Sequence, residues 1–331
     1  MENSILNSHP MLIAVFGISI LIMLLLDLGV FNKKSHEVSN REAITWSVVW
    51  ISLSMLFSAL VYYIAGSVKF FEFQSAYWIE KSLSVDNLFV FIMVFKFFNV
   101  DNKNKHKVLF WGIIGALVLR AIFIFSGTYL IELTYLNSIL KYFGASELDY
   151  NINIIMTLFG LFLVYAGIKS WFSGDEDEEE DYNNSKGAKF IRKLFPVTDK
   201  FDGGKFFTYE NGKKFATPLL VVVAVIEVTD LLFAVDSIPA IFAISNDPFI
   251  LYTSNIFAIL GLRALFFLLD NFIHLFSKLP YGLAFVLSFI GVKMIIAPFY
   301  HIESVHSLIV IGSVLVLSVI ASVMFPEKKE K

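Results

Sequence analysis

Apolar runs of about 20 residues, the length a helix needs to cross roughly 30 Å of hydrocarbon, recur along almost the whole of this chain. That recurrence rules out an ordinary soluble domain. With 57% hydrophobic and 17% charged residues among 331, the bilayer is the expected solvent and an all-α polytopic membrane protein the expected fold class. Nine spans are drawn at about 11–31, 45–66, 77–98, 107–129, 152–172, 217–245, 251–276, 281–299 and 305–325. The first follows a non-basic start with no clear small-residue cleavage site, so it reads as a retained helix.

Lysine and arginine are segregated between alternate loops, as the enrichment of cytoplasmic loops in these residues predicts. Nineteen of the 26 fall on one side: Lys33, Lys34, Arg41, the cluster Lys96 to Lys107, the basic part of 173–216, Lys278 and the tail from Lys328. Only Lys69 and Lys141 fall opposite. The expected topology therefore places the N terminus outside and the C terminus in the cytoplasm, in a bacterial inner membrane. The expected organisation is two N-terminal helices (1–76), a three-helix unit (77–172), a cytoplasmic loop (173–216), a second three-helix unit (217–299), and a final helix with a basic tail (300–331). The loop opens with an acidic run, Asp175 to Asp181, read as a solvated, flexible linker.

An internal repeat flanks that loop. Glu80, followed six residues later by Asp86-Asn87, has its counterpart in Asp230, followed six later by Asp236-Ser237. One helix on, Leu119-Arg120-Ala121-Ile122-Phe123 matches Leu262-Arg263-Ala264-Leu265-Phe266, and on the third helix Gly167-Ile168-Lys169 matches Gly291-Val292-Lys293. Three helices is an odd number, so a second unit reached through a same-side loop must sit upside down. Inverted repeats of this kind characterise secondary transporters, which bind substrate near the midplane at the repeat interface.

Asp27, Glu80, Asp86, Glu227, Asp230 and Asp236 all lie within spans. Each ionised carboxylate at a helix centre costs roughly 2.5–3.5 kcal/mol on insertion scales and normally faces a bundle interior or a cavity. Glu227, Asp230 and Ser237 share one helix face, with Asp236 offset; Glu80 and Asn87 share another, with Asp86 adjacent. Packed together, such a cluster repels itself and requires cations or protons. There is no cysteine, so ligation is by oxygen or imidazole, and the all-oxygen set suits hard divalent ions. The bland reading is that Arg120 and Arg263 neutralise the acids in a buried ion-pair network with no transport site; the arginines could equally serve as an internal counter-charge when a cation leaves. Pro239 frees the carbonyl of Val235, either as a ligand or through a mere packing kink. Lys81, Lys169 and Lys293 are expected to snorkel to the interface, and the histidines fall at loops or span ends.

The stretch EVTDLLFAVDSIPAIFAIS from Glu227, with EKSLSVDNLFVF from Glu80, LDLGVFNKKSHEVS around Asp27 and FPVTDKFDGGKFFTYENGKKFATPL before the sixth helix, resembles the TerC family of integral membrane proteins, in particular its Alx-like bacterial members. The resemblance covers about residues 11–299. It implies manganese homeostasis and Mn²⁺ efflux, a family first associated with tellurite resistance, and a metal site at Asp27, Glu80, Asp86, Asn87, Glu227, Asp230, Asp236 and Ser237.

The expected function is export of a divalent metal, Mn²⁺ foremost and Ca²⁺ as the rival ion, with the metal as substrate rather than cofactor. The expected partners are that ion and the lipid bilayer, with no nucleic acid. A membrane scaffold supporting metalation of other proteins is the alternative from another class. No HExxH and no serine–histidine pair supports an enzyme.

Overall fold

The computed structural model describes residues 5–31, 39–143, 148, 150, 152–172, 182–210, 212–272, 278–300 and 302–325; at 6, 7, 27–31, 85, 86, 89, 235, 236, 271 and 272 it describes backbone only. The side chains of Asp27, Asp86 and Asp236 and the whole acidic run therefore lie outside the described residues. The protein is built of helices. They are α1 (Ile5–Ser8), α2 (Pro10–Phe31), α3 (Asn40–Phe97), α4 (Asn102–Leu133), α5 (Leu136–Tyr142), α6 (Ile154–Phe172), α7 (Lys186–Leu194), α8 (Pro218–Phe242), α9 (Pro248–Leu260), α10 (Leu262–Phe272), α11 (Leu279–Ile296) and α12 (Ser304–Met324).

Among the described residues, six helices are long and apolar enough to cross a bilayer, or seven if α9 and α10, bent by 41°, form one span. Two features separate this count from the nine of the sequence reading. The side chains of α2 are described only as far as Leu26, leaving a short apolar helix. And α3, counted once, holds two of the expected spans.

The 58 residues of α3 would measure about 87 Å if straight, far more than a membrane. Gly66 breaks it, with φ 88° and ψ 177°, a backbone region essentially reserved for glycine. The arms then pair in opposite directions. Gln74 donates to Ser58 at 2.7 Å, the Phe57 and Phe73 rings are 5.6 Å apart, and Tyr62 meets Phe70 edge-on at 5.6 Å. The element is thus a helical hairpin turning at Gly66.

The helices carrying the matched motifs also contact one another antiparallel. Along α3 and α8, Glu72 meets Ser245 while Glu80 lies by Ser237. Along α4 and the α9–α10 pair, Lys105 bonds Asp270 and Phe125 packs on Tyr252. Between α6 and α11, Gly160 meets Gly291, and Gly167 meets Ser288 and Ala284. Antiparallel pairing of corresponding helices is what an inverted repeat requires. The α6–α11 contact depends on missing side chains, since a Cβ at Gly291 would lie 2.6 Å from the Gly160 carbonyl oxygen. Close approach at small residues is how helices associate where lipid offers no hydrophobic drive.

The loop after α6 is more ordered than a linker. Past the acidic run it forms a short 3-10 turn (Tyr182–Asn184) and α7, then an antiparallel hairpin of β1 (Phe207–Glu210) and β2 (Lys213–Ala216) in the register Phe207 to Ala216. Gly187 of α7 rests on the α8 backbone, where a Cβ would come within 2.4 Å of the Ala224 oxygen. Lys107 of α4 lies over the Phe206 ring at 4.3 Å, and Tyr182 packs on Phe97 of α3. The segment therefore caps one end of the bundle, holding the ends of α3, α4 and α8. The opposite end gathers the Gly66 turn, the α4–α6 connection, the end of α8 and the start of α12.

Gly66→Ala should destabilise the purified protein by about 1–3 kcal/mol, the cost of forcing a side chain into that backbone region. Gly312, whose Cβ would meet nothing within 4 Å, is the control. A melting comparison in detergent checks this: Gly66→Ala melts lower and Gly312→Ala melts with the parent.

Candidate functional site

Glu80, Arg120 and Asp230 stand near the middle of their helices, where hydrocarbon is thickest and an uncompensated charge most costly. The structure brings them together. Arg120, with no solvent exposure, donates through one terminal nitrogen to Glu80 Oε1 and through the other to Asp230 Oδ1 at 3.5 Å. Glu80 stands on α3 and Asp230 on α8, and they are the acids that the spacing match pairs. One guanidinium therefore bridges the two helices. This is the ion pairing expected from the bland reading, and it accounts for how two carboxylates coexist in a dry interior.

Hydrogen bonding around the pair is incomplete. Ser84 donates to Glu80 Oε1 at 3.4 Å, but Glu80 Oε2, Arg120 Nε and the Ser237 hydroxyl have no partner among the described residues. Ser237 lies beside Glu80 without closing a bond to it. Buried groups of this kind are few in native proteins. Asn87 is also buried. Glu227 has no hydrogen-bond partner among the described residues, and its carboxylate occupies the space over Gly115 of α4, where a Cβ would lie 2.1 Å from either oxygen. That glycine is what gives the acid room between α4 and α8.

Below the pair, Asp230 and the buried Arg263 line a cavity of about 20 Å³ with Leu88, Phe91, Ile226 and Ile259. That is space for roughly one water. No group of three or more His, Asp or Glu among the described residues is arranged to hold a metal ion. Asp86 and Asp236, whose helical positions fall one turn and a half from Glu80 and Asp230, are outside the described side chains. Asp27 lies one turn before the end of α2, a helix packed on α3 and α9. Pro239 does not unwind α8, which stays helical to Phe242.

Two lysines differ from expectation. Lys81 is buried and donates to the Ala258 carbonyl at 3.1 Å. It does not snorkel because α9 ends there: the break at Gly261 leaves carbonyls without helical donors, and the ammonium satisfies one. Lys293 is buried too, donating to Ser307 at 2.8 Å. Lys169 is exposed, as a snorkelling residue would be. The sequence reading also passed over Asn255 of α9, which has no solvent exposure and whose amide nitrogen and oxygen both lack partners among the described residues. Its signal was a lone amide in the apolar run ILYTSNIFAIL. It stands one helical turn from Ile259, which lines the cavity beneath Asp230.

Fold and site together define a multi-pass α-helical integral membrane protein with charged residues buried between its helices. A profile of the integral membrane protein TerC family matches residues 65–330, and the chain belongs to that family. An uncharacterized membrane protein of Myxococcus xanthus is 43% identical over 317 residues, covering 95% of this chain and 92% of the relative. A protein of Escherichia coli K12, described provisionally as the membrane-bound redox modulator Alx, is 39% identical over 331 residues, covering 97% of each. A membrane protein of Rickettsia bellii is 39% identical over 310 residues, covering 94% of this chain and 96% of its own. No solved structure matches.

Removing Arg120 alone should be worse than removing the whole cluster. Arg120→Gln leaves two buried carboxylates uncompensated, at a cost of about 3–5 kcal/mol, whereas the triple variant Glu80→Gln, Arg120→Gln, Asp230→Asn carries no buried charge at these positions. Thermal unfolding in detergent should rank parent, triple variant and single variant in falling order of stability. A single variant as stable as the triple would show that Arg120 does not neutralise the pair.

Proposed function

We propose that this protein exports a divalent metal ion, Mn²⁺ in particular, from the cytoplasm by alternating access between its two antiparallel halves. One observation carries the reading: matched acids from the two halves, Glu80 and Asp230, converge at mid-membrane on one arginine, with Glu80 Oε2 and Ser237 Oγ beside it without partners. An arginine that neutralises acids in the absence of an ion can release them to a cation and reclaim them afterwards. In this reading Arg120 is the internal counter-charge.

The chemistry of the donors supports a hard cation. Five acids, Glu80 and Asp86 on α3 with Glu227, Asp230 and Asp236 on α8, stand against Arg120 on α4, Arg263 on α10 and the buried Lys81 on α3. The mid-span acids thus outnumber the mid-span cations. Asn87 and Ser237, with Asp27 at the end of α2, complete an all-oxygen set of the kind that Mn²⁺, Mg²⁺ and Ca²⁺ take. Protonation of an acid at the far side would discharge the ion. The excess of Lys and Arg at the capped end of the bundle supports an orientation with that end in the cytoplasm of a bacterial inner membrane. The redox role in the relatives' name has no thiol couple to draw on here, since this sequence holds no cysteine.

Proteoliposomes loaded with a Mn²⁺-sensitive dye test the reading. Asp230→Asn should slow Mn²⁺ flux by at least about tenfold, the loss of one charged ligand interaction, and Gly312→Ala should leave it unchanged. Asp230→Asn flux equal to that of the parent would refute the site. Competition by Ca²⁺ and Mg²⁺ in the same vesicles ranks the substrates.

A further inference from the structure

A wider cavity than the one beneath Asp230 lies elsewhere. About 770 Å³ in volume, it is at the end of the bundle opposite the cap, between α3, α6, α8, α11 and α12. Glu72, Tyr135, Phe242, Lys293, Glu303 and Ser304 are among the groups that line it. Glu72 on α3 is eight residues from Glu80, and Ser245 at the end of α8 is eight residues from Ser237. Both helices therefore put the cavity's polar wall about 12 Å along the axis from the buried pair. Apolar side chains fill the interval: Ala76, Ile79, Ile238 and Ile241 are all buried, and the Phe242 ring sits against Gly127, where a Cβ would come within 2.7 Å.

The charges in this cavity are not balanced as a cation exit would suggest. Glu72 is engaged from two sides, accepting from Ser245 at 2.6 Å and from Lys69 at 2.9 Å. Glu303 is on the rim, with its side chain 70% exposed. Lys293 is the charge most deeply placed, 6% exposed, with the Ser307 hydroxyl as its bond and no carboxylate within salt-bridge distance among the described residues. Its other two N–H donors remain available, because an ammonium carries three.

We propose that this cavity is a water-filled vestibule and that Lys293 makes its floor electropositive, so that it receives small anions and turns back cations arriving from that face. The inference rests on the export reading and deepens it. The ammonium opposes a cation crossing the floor in either direction, so an ion once released beyond it is held off Glu80. Repulsion by a fixed charge needs no moving part.

The chain has no cysteine, so a single introduced thiol reports the vestibule without interference. Ser304→Cys and Ala243→Cys are each treated, in proteoliposomes, with a cationic (trimethylammonium) and an anionic (sulfonate) methanethiosulfonate reagent. Both reagents should react at both positions, with the anionic one favoured relative to a free thiol. Adding Lys293→Gln, whose amide can still donate to Ser307, should lower the anion-to-cation rate ratio about fivefold, as expected when one unit charge about 8 Å away acts with opposite sign on the two reagents in water. Adding Glu72→Gln should raise the ratio, an opposite change that loss of fold cannot mimic. Failure of both reagents to react, or a ratio indifferent to Lys293→Gln, overturns the proposal. A parent protein that moves no Mn²⁺ would refute the export reading, while the labelling ratio would still decide the vestibule.

Discussion

A guanidinium held between two carboxylates in the middle of a membrane protein is the constraint to which the remaining structure answers. Moving each charge out of water costs several kcal/mol after relaxation, and only good geometry with opposite charge repays it. Arg120 can serve Glu80 and Asp230 together only if α3, α4 and α8 meet at one depth, so the pairing fixes both the register of three helices and the contact between the two halves. Glycine then decides what else fits. Gly115 leaves room for the Glu227 carboxylate, and Gly160 and Gly291 let the outer helices of the halves close to backbone contact.

Charge and shape are distributed differently along the bundle. At the capped end, α7 and the β hairpin clamp the ends of α3, α4 and α8, and the cavity beneath Asp230 is scarcely larger than one water. At the other end a wide chamber approaches the pair and stops at an apolar plug. Around the pair the described side chains thus leave little space on the capped side and an apolar plug on the other.

The sequence carried the helices because long apolar runs are a strong signal. It also carried the partnership of Glu80 with Asp230, through a spacing repeated at two places, and it named ion pairing with arginine as one outcome. Lys81 and Lys293 were misread for a common reason: position near a span end suggests an interfacial ammonium, while burial depends on what a neighbouring helix leaves unbonded. In one case that is the carbonyl of Ala258, in the other the hydroxyl of Ser307. The spans 45–66 and 77–98 anticipated a reversal from Gly66, but not that helix would continue on both sides of that one residue. The order after the acidic run escaped notice because basic, glycine-containing stretches read as solvated, and only contact with the ends of α3, α4 and α8 gives them a fold.

The bend between α9 and α10 has a mechanical side. Lys81 clips the broken helix to α3 through a single ammonium–carbonyl bond in a water-free setting, and straightening the joint would strand both groups. The contact ties the second arm of α3 to the α9–α10 joint, so separating the two elements would leave a buried ammonium and a buried carbonyl unbonded at once.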